Sequence, residues 1–191
     1  MGTFDRIAEI DWNLTKSIYK CIGDHENPLI RNLPTYAGLI PYQAYVLPGM
    51  FISLLSLLYD NNLDLINFHL FPHIFAFTFS KLLKQHIGRV RPGCQGNGMT
   101  IREDPLYCKT HAKESFPSGH ATIAFCMATS LAFYLKSERA KGKLFGKVDF
   151  NNSVVQNISI GLAYFVASMV CLHRITNGYH FVGDVAAGMI L

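Results

Sequence analysis

Charge is scarce in this chain. Only 16% of its 191 residues are charged, half are hydrophobic, and mean hydropathy is positive at +0.20. Ordinary soluble domains carry about a quarter charged residues, so this composition leans toward a membrane environment. The net charge of +4 is modest, and its placement matters more than its size. The aromatic residues fit membrane helices and interfaces better than a nucleic-acid surface, and no nucleic-acid partner is expected. Internal repeats and low-complexity tracts are also missing, so a chain of this length reads as one domain, 1–191. Met1–Asn13 lacks the pattern of a secretory leader, and Arg6 stands where a myristoylation signal wants Ser or Thr. The five cysteines show no metal-binding spacing. Cys94 and Cys108 share one polar loop, where a disulfide and two free thiols are both open. His69 and His73 are four apart, but Pro72 lies between them and no third ligand accompanies them, so no metal is expected.

Apolar runs dominate what is present. Residues 4–22 alternate apolar and polar at helical spacing through Phe4, Ile7, Ile10, Leu14 and Ile18, which predicts an amphipathic helix on a membrane surface. The Asp24–Pro28 cluster ends it. No charged residue occurs from Asn32 to Tyr59, ample for the ~20 residues a span requires. A second run, Leu65–Ser80, ends in Lys81 and Lys84, with His69, Pro72 and His73 disturbing its regularity. A third covers Phe116–Leu135, a fourth about Val154–Leu172, and the last begins near Tyr179 and stops inside its helix at Leu191. The expected fold is therefore all-α: a polytopic transmembrane bundle of about five spans plus the N-terminal amphipathic helix, its last helix truncated.

Three polar clusters interrupt these runs, and turn counting puts all three on one side of the membrane. The opposite side carries the 60–64 turn and the 136–147 hairpin with Lys136, Arg139, Lys141, Lys143 and Lys147. The positive-inside rule makes that hairpin cytoplasmic, which turns the clusters to the extracytoplasmic or lumenal face. Lys84, Arg89, Arg91 and Arg102 vote the other way, but an anion site on that face accounts for most of their charge.

Each cluster supplies a part of phosphoryl-transfer chemistry. Lys84 and Arg91 are cations near the end of one span, the Arg a planar fork and the Lys a point charge. Ser118 and Gly119 open an apolar helix, where backbone N–H groups and the helix dipole favour an anion; Gly119 lets a ligand approach the backbone closely. His120 follows, placed to give or take a proton there. His180 and Asp184 are four apart, which on a helix would let the carboxylate hold one imidazole N–H and activate the other nitrogen. Arg174 adds another phosphate donor. Singly, each residue has an ordinary explanation: Lys84 and Arg91 as interfacial anchors, Ser118 as a helix cap, His180 and Asp184 as a satisfied polar pair.

The three stretches resemble the signature of the type 2 phosphatidic acid phosphatase superfamily, which includes bacterial lipid phosphatases, glucose-6-phosphatase and vanadium haloperoxidases. Its Lys, six residues, Arg-Pro motif is matched by Lys84, Arg91 and Pro92, and its Pro-Ser-Gly-His motif by Pro117–His120. Arg174, His180 and Asp184 match the third motif, except that His173 stands at the family's serine position. The resemblance implies an integral membrane lipid phosphatase acting on a phosphomonoester or diphosphate. Phosphatidic acid, phosphatidylglycerol phosphate and a polyprenyl diphosphate all fit. It implies His180 as nucleophile through a phosphohistidine, His120 as acid and then base, Asp184 orienting His180, and Lys84, Arg91, Ser118, Gly119 and Arg174 on the phosphate, without metal or cofactor. Two rival readings fit less well. A vanadate-holding haloperoxidase sits poorly with the small size and the spans, and a catalytically silent phospholipid-binding or transport protein with the complete His120, His180 and Asp184 set.

Overall fold

In the computed structural model, residues 3–44, 46, 51, 66–101, 106–137 and 152–191 are described. Among these residues every regular element is helical, as expected. Helix α1, Thr3–Ile18, runs on through a π turn at Tyr19–Gly23 and stops at Asp24. Its Phe4, Ile7, Ile10 and Leu14 stand exposed, whereas Thr15 is fully buried. Helix α2, Pro28–Pro34, starts where the Asn27 side chain accepts from the Leu29 N–H at 2.9 Å, with Pro28 at the first helical position. It widens into a π turn at Thr35–Leu39. Pro34 and Pro41 bracket that turn and each withholds an N–H from the ladder, which accounts for the irregular winding.

Helix α3, Phe71–Ile87, follows a π turn at Ile66–Leu70, so the disturbance expected around His69 and Pro72 falls at the helix start and the rest is regular. Gly88 ends α3 in the left-handed conformation (φ 61°), its N–H reaching the Lys84 carbonyl. The short α4, Tyr107–His111, lies in the following loop; then come α5, Gly119–Lys136, α6, Ser153–Thr176, and α7, Val182–Ile190.

Helix α5 is the centre of the bundle, packed against α3, α6 and α7. Its Ala121, Ala124 and Ala128 face Ala167, Val170, Cys171 and Ile175 of α6 and Val185 of α7. Small side chains at that seam let the helices approach closely, as in membrane bundles. The large apolar residues point outward instead: Phe75, Phe133, Ile158 and Leu162 are 58–67% exposed. This inside-out distribution suits an apolar solvent around the bundle. Among the described residues, α6, 24 residues long, is the one helix long and apolar enough to cross a membrane by those criteria alone; α3 has 17 residues and α5 has 18. Residues 45, 47–50 and 52–59 of the first expected span lie outside the described residues, as does the 138–147 part of the basic hairpin.

Helix α2 meets α6 with no space between backbones at Gly38. A Cβ there would stand 2.5 Å from the Met169 carbonyl carbon and the Val170 nitrogen. Gly38→Ala is expected to lower stability by at least the ~1–3 kcal/mol of an overpacked core, read as a lower Tm in detergent.

Candidate active site

The three sequence clusters meet because backbone hydrogen bonds stitch their loops together. The Arg91 N–H donates to the Ala112 carbonyl and the Ser115 N–H to the Arg89 carbonyl, joining the first cluster to the approach of α5. The Gly93 N–H donates to the Gly178 carbonyl, and the Ser118 N–H to the Asp184 carbonyl, joining both to the start of α7. Gly178 is required twice over: its φ is 72°, and a Cβ would come 2.8 Å from the Thr100 carbonyl oxygen. A disulfide between Cys94 and Cys108, with Cα atoms 5.5 Å apart, clamps the intervening loop, so of the two open states the bonded one is observed.

Lys84, Arg91, Gly119, His120, Arg174 and His180 line one cavity of about 530 Å³. Arg91 is 2% and Arg174 5% exposed. The Arg91 fork is spread over three acceptors: Nε donates to the His111 carbonyl at 2.9 Å, and Nη1 to the Tyr179 carbonyl at 2.8 Å and to His180 Nε2 at 3.0 Å. Arg174 lies flat over the Tyr179 ring, 3.7 Å from its centroid, and its carbonyl accepts the N–H groups of both Tyr179 and His180. Lys84 Nζ donates to the Glu114 carbonyl, and Gly119 is close enough that a Cβ would touch the Lys84 side chain at 3.8 Å. Desolvated cations converging on one cavity are costly until an anion shares it. Ser118 stands just behind this lining, fully buried, and its Oγ has no hydrogen-bond partner among the described residues.

His180 differs from the helix reading of its spacing to Asp184. Helix α7 begins only at Val182, so His180 stands in the preceding loop and Asp184 occupies the third helical position. His180 Nδ1 is 3.7 Å from Asp184 Oδ2, too long for a hydrogen bond. A donor at 3.0 Å assigns the lone pair to Nε2, so the proton belongs on Nδ1, the nitrogen facing the carboxylate. Burial, reinforced by Arg91, Arg174 and Lys84, holds the His180 imidazole well below its usual pKa. A neutral ring with its Nε2 lone pair turned into a cationic cavity has the protonation state a nucleophile needs.

Asp184 has more partners than the sequence suggests. It is fully buried, and its oxygens accept from Arg89 Nη1 at 2.6 Å, from the Phe181 N–H at 3.0 Å and from Ser115 Oγ. Arg89 also donates to Asp11 of α1 at 2.8 Å and lies over the Phe181 ring, 3.9 Å from its centroid. The sequence places Arg89 only among the charges that an anion site on this face mostly accounts for, and does not mark it as a partner of Asp184. The available signal was the Arg89-Val90-Arg91 alternation, since residues two apart on extended chain face the same side. Asp11 and Ser115 gave no such signal. His173, at the family's serine position, is fully buried with its ring stacked beside Tyr179.

A helical bundle with a buried cationic cavity, a neutral histidine presented by a loop and a second histidine at a helix N-terminus is the architecture of a phosphate-handling membrane enzyme family. The PAP2 superfamily model matches residues 67–191, and the chain belongs to that superfamily. It is 31% identical over 120 residues to a PA-phosphatase related-family protein of Dictyostelium discoideum, a match that takes in 61% of this chain and 41% of that protein. The chain thus spans less than half the length of that curated relative. Its fold is similar to the crystal structure of the first transmembrane PAP2 type phosphatidylglycerolphosphate phosphatase from Bacillus subtilis, with a TM-score of 0.66 at 22% identity over 96% of this chain and 79% of that one.

The Arg91 fork generates a direct test. Arg91→Lys keeps the charge but loses the planar donor set, so orthovanadate should bind about tenfold more weakly, the equivalent of one charge-assisted hydrogen bond. Calorimetric titration measures this, and an unchanged Kd would show that Arg91 does not touch the anion.

Proposed function

We propose that the protein is an integral membrane lipid phosphatase that hydrolyses a phosphomonoester or diphosphate on a lipid through a phosphohistidine. The observation that carries this reading is His180 Nε2 at 3.0 Å from Arg91 Nη1, in a cavity shared with Lys84, Arg174 and His120. In the proposed reaction Nε2 attacks phosphorus in line, the bond to the lipid oxygen breaks, and His120 protonates that oxygen. His120 then takes a proton from water, which attacks the phosphohistidine and releases phosphate. The charge on the phosphorylated imidazole is balanced by Asp184, which faces Nδ1. Lys84, Arg91 and Arg174 neutralise the equatorial oxygens, assisted by Ser118 Oγ and the Gly119 end of α5. In this scheme the side-chain cations fill the role a metal would otherwise take.

A lipid substrate is supported by the other wall of the cavity, where Tyr42, Val46, Phe77 and Ile123 are apolar or aromatic. Tyr42, with Pro41, also borders a second, apolar cavity of about 290 Å³ against α5 and α6. A headgroup in the polar end would leave its chain against apolar surface. The exposed apolar residues of α3, α5 and α6 support a multi-pass membrane protein with α1 on the bilayer surface. The Cys94–Cys108 bond sits on the site side of the bundle, which supports an extracytoplasmic or lumenal site and a cytoplasmic 136–147 hairpin.

Assays of the full chain in chelator against phosphatidic acid, phosphatidylglycerol phosphate and polyprenyl diphosphate test the reaction and rank the substrates. Phosphate release is expected; strict dependence on added magnesium would overturn the metal-free scheme. His180→Ala should abolish turnover, and His120→Ala should slow it by at least the ~10²-fold typical of lost acid–base help. Impermeant cysteine labelling of residues 136–147 in intact cells or sealed vesicles checks the orientation, and labelling from the site side would reverse it.

A further inference from the structure

The N-terminal helix reaches the site across the whole length of the chain. Asp11 of α1 divides its carboxylate between two partners: Oδ1 accepts the Gly183 N–H at 2.7 Å, and Oδ2 accepts Arg89 Nη2 at 2.8 Å. The same guanidinium gives its other nitrogen to Asp184 Oδ1 at 2.6 Å. One turn along α1, the fully buried Thr15 accepts the Val182 N–H at 3.0 Å. We propose that Asp11 is a positioning residue for the site: from α1, with Thr15 beside it, Asp11 caps the helix that carries Asp184 and shares Arg89 with that carboxylate.

Helix α7 needs such a cap. The first N–H groups of a helix have no partner within it, and a Ser, Thr, Asp or Asn just before the helix ordinarily supplies one. Here that position is Phe181, whose side chain has no acceptor. Asp11 and Thr15 supply the acceptors from another helix, at the first two residues of α7. The electrostatics depend on the same contact. Arg89 faces two carboxylates, so its charge is only partly spent on Asp184. With Asp11 neutral, the full positive field of Arg89 would bear on Asp184 and offset the negative charge that steadies a phosphorylated His180. Asp11 itself touches neither the cavity lining nor a transferred phosphate, so its effect belongs in turnover rather than in substrate binding. Helix α1 lies outside residues 67–191, the part matched by the family model, and it also carries the exposed Phe4, Ile7, Ile10 and Leu14. The clamp is thus carried by the helix proposed to rest on the bilayer.

The catalytic half of the inference rests on the phosphatase reading, and the test separates the two. Asp11→Asn keeps shape and an acceptor for the Gly183 N–H but removes the charge; Asp11→Ala removes both. In the full chain, Asp11→Asn should lower kcat about tenfold, the lower end of what outer partners of an active-site group cost, with KM within about twofold and Tm little changed. Asp11→Ala should in addition speed hydrogen exchange at the amides of residues 182–184. A kcat for Asp11→Asn within twofold of wild type overturns the electrostatic role, and so does a loss that merely follows a fall in Tm. Unchanged exchange in Asp11→Ala overturns the clamp. Wild-type protein that releases no phosphate sinks the phosphatase reading instead, and the exchange measurement then decides the clamp by itself.

Discussion

Asp184 is a carboxylate with no solvent around it, and the rest of the site follows from how that charge is satisfied. An unpaired buried charge is among the costliest features a fold can carry, so its partners must arrive with good geometry. They come from three places: Arg89 at the end of α3, Ser115 ahead of α5, and the Phe181 amide at the start of α7. Satisfying one carboxylate therefore brings together the three segments that line the cavity. The carbonyl of the same residue accepts the Ser118 N–H, which ties the start of α5 to the start of α7.

Arg89 and Arg91 are held by different kinds of partner, and this contrast organises the chemistry. Arg89 is matched by acids on both sides, a structural ion pair outside the cavity lining. Arg91 is held instead by the carbonyls of His111 and Tyr179 and by a histidine nitrogen, which orient the guanidinium without cancelling its charge. Two arginines separated by a single residue thus do different work. Burial, reinforced by the field of Arg91, Arg174 and Lys84, keeps His180 neutral, so the side chain that would attack phosphorus is not spent on a proton.

Around this polar end the bundle is built to be small inside and large outside. Alanines at the α5–α6 seam give close backbone approach, and Phe, Ile and Leu are turned outward. That arrangement would expose apolar surface to water but costs nothing in hydrocarbon, where association rests on packing rather than on hiding apolar groups. It leaves the helix ends, with their unpaired N–H groups, as the natural place for an anion. Helix α1 completes that end by reaching α7 through Asp11 and Thr15.

The helical class, the interruption before Pro28, the amphipathic face of α1 and the grouping of Lys84, Arg91, His120, Arg174 and His180 were legible in the order of residues. Each depends on local periodicity or on spacings within a few turns of chain. Helix boundaries at prolines were less legible, since Pro34 and Pro72 sit inside or beside wide turns that neighbouring helices tolerate. The placement of His180 before α7, the free choice between thiols and a disulfide at Cys94 and Cys108, and the links from Arg89 to Asp184 and Asp11 were decided only by tertiary structure. Asp11 and Gly183 lie 172 positions apart, and no local pattern marks which buried charge a distant carboxylate will share. Sequence alone determined which cations, histidines and carboxylates the chain offers and at what spacing; three-dimensional packing decided which of them face the cavity and which hold the others in place, because desolvated charges choose their partners by proximity in space.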